Sequence, residues 1–164
     1  MNDNIDIIQK KMTKRLRYRK PLIIIEKILV IIPAISLFIL LLYYCLYDLA
    51  SLPAAILVPL SGFFLLTVIR ADINAKRPYE IYGFEPVIPK NTEGHSFPSR
   101  HVFSIFMIAV CISRVNKPLG ILMYILGFLL AYIRVFSGVH FFKDVFTGAA
   151  SAVIYGELLF YIYQ

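Results

Sequence analysis

Arginine recurs at intervals that suit an anion. Arg70-x6-Arg77-Pro78 opens a series that continues with Pro98-Ser99-Arg100-His101 and closes with Arg134-x5-His140-x3-Asp144. Each cluster abuts an apolar run, where an ionised side chain is costly unless it has a partner or a ligand. Guanidinium groups donate paired N–H bonds to phosphate oxygens and keep their charge at any accessible pH. Four arginines, two histidines and an aspartate at such borders therefore predict a site for phosphate chemistry.

The individual clusters each allow a plainer reading. His140 and Asp144 are four apart, so on a helix their side chains would share a face. The aspartate would then hold one ring nitrogen as N–H and free the other to attack, or the two would simply be a helix-surface pair. Ser99 follows Pro98 at the start of an apolar run, where it is either an N-cap or part of an anion-binding helix N-terminus. His101, beside it, is either a bystander or an acid that protonates a leaving oxygen. Arg70 is either an interfacial anchor or a phosphate ligand. Taken together, the clusters favour the chemical reading of each.

The elements that must position these residues are membrane helices. The 164 residues are 59% hydrophobic, with a mean hydropathy of +0.74, too apolar for a soluble fold. Apolar runs at 22–47, 52–69, 102–112, 119–133 and 145–163 predict an all-α, polytopic bundle of about five transmembrane helices. The third run must start near Ser99 and the fourth must reach Arg134 for either to approach the bilayer thickness. A tight hairpin joins the first two runs at residues 48–51. The proline-bearing stretch from Arg70 to Pro98 reads as an extramembrane loop. Alternating helices then bring all three clusters to one membrane face.

Residues 1–21 form a polar, basic leader that can lie at the interface, and 22–164 form a single transmembrane domain. The leader's Lys10, Lys11, Lys14, Arg15, Arg17, Arg19 and Lys20 mark a cytoplasmic flank and attract membrane lipids. The net charge is +7, and most of the basic residues sit in this block and the three clusters. No aromatic-interleaved basic surface is left for nucleic acid. Cys45 and Cys111 lie in apolar runs without metal-ligand spacing, which predicts core packing. Glu157, in the last run, requires a partner or water.

The order and spacing of the clusters resemble the type 2 phosphatidic acid phosphatase superfamily, whose pattern is K-x6-R-P, P-S-G-H and S-R-x5-H-x3-D. The resemblance spans about residues 70–144 and the helices that follow. It implies a haloperoxidase-like four-helix catalytic core in which Arg70, Arg77, Ser99, Arg100 and Arg134 bind phosphate. It also implies a phosphohistidine at His140, orientation by Asp144, acid and base roles for His101, water as second substrate, and no metal or cofactor. The chain departs from the pattern at three positions: Arg70 stands for lysine, Arg100 for glycine and Ile133 for serine.

A site at the membrane interface suits a lipid phosphate, such as a polyprenyl phosphate or diphosphate, phosphatidic acid or phosphatidylglycerol phosphate. The family plan implied by the resemblance has six spans and an outward site. Five spans behind a basic N-terminal block instead favour a cytoplasmic site in the cell membrane. Two alternatives carry distinct expectations. A vanadate-dependent haloperoxidase would oxidise halide, and a non-enzymatic lipid-binding protein would keep its function without His140.

Overall fold

The computed structural model describes residues 2–163. Its helices are α1 (Asn2–Arg15), α2 (Arg19–Tyr47), α3 (Leu52–Ile73), the short α4 (Pro78–Tyr82), α5 (Arg100–Val115), α6 (Lys117–Phe136) and α7 (Phe142–Ile162). A 3₁₀ turn at Leu16–Tyr18 joins α1 to α2. No strand occurs among the described residues.

Four segments, containing α2, α3, α6 and α7, are long and apolar enough to cross a membrane. Their outward residues, among them Phe38, Phe64, Phe128 and Ile154, are exposed, as a lipid-facing surface requires. The protein is a multi-pass membrane protein. The expected fifth span corresponds to α5, and its 16 residues extend only about 24 Å. It is the buried axis of the bundle: Val102, Phe103 and Ile105 to Ile112 are all buried, with α6, α7, α3 and α2 packed around them, and it leads from the end where α3 stops to the end where α6 begins. It is shorter than the four helices around it, which supply its apolar environment.

Local chemistry sets the helix boundaries. Asn116 caps α6 by accepting the Leu119 N–H at 3.0 Å, and Pro118 occupies the first turn, where no N–H is needed. Asn74 closes α3 in the left-handed region at φ 41°. Asp144 closes the first turn of α7 by accepting the Phe141 N–H at 3.0 Å. The C-terminal ends of α3 and α6 and the N-terminal ends of α5 and α7 thus meet at one end of the bundle.

The leader is docked at that same end. Gln9 donates to the Tyr82 carbonyl at 2.9 Å, Arg15 to the Phe136 carbonyl at 2.8 Å, and Arg19 to the Val87 carbonyl at 3.1 Å. Met12 is buried against Gly138, whose φ of +74° and tight surroundings, including Phe84, exclude a side chain. Cys111 is buried as expected, but Cys45 faces outward, so core packing holds for only one of the thiols. Glu157 finds its partner in Arg114, with which it forms an ion pair.

Candidate active site

Two arginines build the loop that roofs the site. Arg70, near the end of α3, donates to the carbonyls of Pro98 and His95. Arg77, extended at φ −87°, ψ 161° ahead of Pro78, donates to Gly94, Val139 and His95 carbonyls at 3.0, 3.1 and 3.3 Å. Both are buried. Their partners are carbonyl dipoles rather than carboxylates, so neither positive charge is neutralised. Arg70 is therefore not a surface anchor. Glu80 tightens the roof by accepting the Arg77 N–H at 2.9 Å and the Gly94 N–H at 3.0 Å.

His140 and Asp144 come together, though not as a helix pair. α7 begins at Phe142, so His140 lies in the preceding turn, and Val139 and His140 both donate backbone N–H bonds to the Arg134 carbonyl, at 3.2 and 3.3 Å. From there His140 Nδ1 lies 3.4 Å from Asp144 Oδ2. The same oxygen accepts from the Ser96 hydroxyl and the Phe141 N–H. Ser96 Oγ lies 3.4 Å from Nδ1 as well. With Nδ1 turned to this anionic corner, Nε2 is the nitrogen left for the cavity. Burial pushes the His140 pKa down to about 4, against the bond from Asp144 and with help from Arg134 and Arg77. That shift favours the neutral ring.

His101 and Ser99 enter from the N-terminal end of α5. Ser99 holds the N-cap position, yet its side chain caps nothing, and its buried Oγ has no partner among the described residues. Its N–H donates to the Asp144 carbonyl at 2.8 Å, which ties α5 to α7. Gly148 permits that approach: a Cβ there would lie 2.6 Å from the Ser99 carbonyl oxygen. The first N–H groups of α5 have no intrahelical acceptor and favour an anion. Arg100 is exposed, with its guanidinium 5.5 Å from the Phe63 ring centroid.

Arg70, Arg77, Arg100, His101 and His140 line one cavity of about 290 Å³, along with Lys90, Thr92 and His95. Ser99, Asp144 and Arg134 are buried around it without forming its wall. Arg134 forms an ion pair with Glu26 of α2, and its Nε has no partner among the described residues. Several site residues escape the motif reading, among them Glu26, Lys90, Thr92, His95 and Ser96. Glu26 alone carried a usable signal, being a carboxylate within an apolar run. Among the described residues, no group of three or more His, Cys, Asp or Glu side chains gathers as metal ligands.

Residues 49–164 match the family model of the PAP2 superfamily. The chain belongs to that superfamily and is a membrane phosphatase. Among solved structures, it resembles Aquifex aeolicus LpxE, with a TM-score of 0.71 and 24% identity over 91% of this chain and 94% of that one. It also resembles a transmembrane PAP2-type phosphatidylglycerolphosphate phosphatase from Bacillus subtilis, with a TM-score of 0.67 and 20% identity over 99% and 87% of the two chains. No curated protein gives a significant sequence match.

Proposed function

We propose that the chain hydrolyses the terminal phosphate of a membrane lipid through a phosphohistidine at His140. The observation that carries this reading is the junction of two unlike cavities. The cationic cavity shares Arg100 and His101 with an apolar groove of about 410 Å³ between α2, α3 and α5. That groove continues, through Leu37, Phe63, Ser104 and Ile108, into a second one of about 320 Å³. A head that needs cations joined to a tail that needs hydrocarbon is a lipid phosphate. The Bacillus subtilis relative acts on a lipid of this kind.

In the proposed reaction Arg70 and Arg77 hold the phosphoryl oxygens, helped by the N-terminal end of α5 around Ser99 and Arg100. Nε2 of His140 attacks phosphorus while His101 donates a proton to the leaving oxygen. Asp144, steadied by Ser96, keeps Nδ1 protonated and stabilises the charge that develops on the ring. Water, deprotonated by His101, then displaces the phosphoryl group and restores His140. Arg134 sits behind this centre and neutralises charge from there, with Glu26 fixing its position.

The basic leader and the cavity occupy the same end of the bundle. The positive-inside bias then favours a cytoplasmic site, with the leader lying along the headgroups. Phosphate release from a panel of lipid phosphates in detergent, with and without chelator, tests the reading. Chelator-resistant release that disappears in His140→Ala and His101→Ala is the expected result. Unchanged release in His140→Ala overturns it.

A further inference from the structure

We propose that Lys90 and Arg100 form a second anion subsite, which takes a phosphoryl group adjacent to the one being hydrolysed. The inference deepens the lipid phosphatase reading and rests on it. Among the described residues, Arg70, Arg77, Lys90 and Arg100 are the four cationic side chains in the cavity wall, and no carboxylate lines it. A phosphomonoester brings about −1.5 to −2 charges, enough to neutralise two of them. Arg70 and Arg77 are the pair already bound into the roof by backbone carbonyls.

Lys90 is different. It is half-buried in the loop between α4 and α5, yet it forms no hydrogen bond or ion pair among the described residues. Burial lowers its pKa, and Arg134 and Arg77 push the same way. An ammonium held out of water among other cations is a cost to the fold unless an anion joins it. Glu26, an acid on α2, is engaged by Arg134.

Arg100 supplies the position of the second group. It borders both the cationic cavity and the apolar groove, so it stands where a head joins its tail. In a lipid diphosphate, the phosphoryl nearer the lipid falls at that junction while the terminal one meets His140. Attack by Nε2 forms the N–P bond and breaks the bond from the terminal phosphorus to the bridging oxygen. The leaving group is the lipid monophosphate, protonated by His101. Water then forms inorganic phosphate and frees His140.

The test compares farnesyl diphosphate with farnesyl monophosphate, which share one tail, in wild type, Lys90→Met and Lys90→Arg. Lys90→Met is expected to lower kcat/KM for the diphosphate about tenfold more than for the monophosphate, the loss of one charge-assisted contact. Lys90→Arg is expected to restore the preference. Equal losses on both substrates, or none, overturn the subsite. A binding arm separates this from failure of the phosphatase reading. Displacement of a fluorescent phosphonate by methylenediphosphonate and by methylphosphonate should favour the former in wild type and not in Lys90→Met. If that preference holds while no lipid phosphate is turned over, the subsite stands and the phosphatase reading falls. If wild type and Lys90→Met show the same preference between the two probes, the subsite falls even where turnover is normal.

Discussion

Replacing Glu26 with methionine isolates a charge pair that the motifs do not contain. Arg134 keeps 2% of its side-chain surface exposed and Glu26 keeps 14%. Removing one member of such a buried pair strands the other charge, at about 3–5 kcal/mol. Because Glu26 retains some exposure, the lower figure applies, and about 3 kcal/mol corresponds to a fall in Tm of about 6–12 °C for a chain of this size. The double variant Glu26→Met/Arg134→Met removes both charges together, and paired apolar replacement is close to neutral. Thermal unfolding in detergent should therefore show a large loss in the single variant and recovery in the double. Phosphate release should fall in both, since Arg134 loses its position in one and its charge in the other. A Tm within 2 °C of wild type in Glu26→Met, or a double variant no more stable than the single, refutes the argument.

Three further outcomes follow from the geometry. Ser96→Ala removes a hydroxyl that donates to Asp144 Oδ2; kcat should fall about tenfold with KM little changed, whereas Asp144→Asn should cost about a thousandfold, since it also loses the charge that orients His140. Gly148→Ala sets a Cβ 2.6 Å from the Ser99 carbonyl, and unfolding should show a loss of about 1–3 kcal/mol as α5 and α7 separate. The His140 imidazole should titrate near pH 4 by NMR, its pKa having been lowered from 6.5. Between those values the unfolded chain binds the extra proton, so stability is full above pH 6.5 and is lost as pH falls toward 4. A midpoint at 6.5 contradicts the burial argument.

Much of the architecture is legible because charge and hydrocarbon separate so sharply along the chain. The hairpin at residues 48–51, the start of α5 beside Ser99 and the reach of α6 past Arg134 all follow from the length an apolar run must have. The convergence of Arg70, Arg77, His101 and His140 follows from alternating helices. What escapes is set by tertiary contact. The four-residue spacing of His140 and Asp144 suggests a shared helix face, but α7 starts between them, and a turn held by the Arg134 carbonyl aims the ring instead. Hydropathy alone also does not show that α5 is buried among the other helices while they face outward. Ser96 and Lys90 lie in an irregular loop without pattern, and only the fold brings them to the site. Glu26 was open to the same argument as Glu157, a carboxylate in hydrocarbon needing a partner, and Arg134 is that partner.

The proposed chemistry turns on Nε2 of His140 taking the phosphoryl group. Rapid alkaline quenching of the detergent-solubilised protein with a ³²P-labelled lipid phosphate, followed by peptide mapping, tests it most directly. Acid-labile label on the peptide containing His140, absent in His140→Ala, is the predicted result. Turnover without that label, or label on His101 or His95, would contradict it.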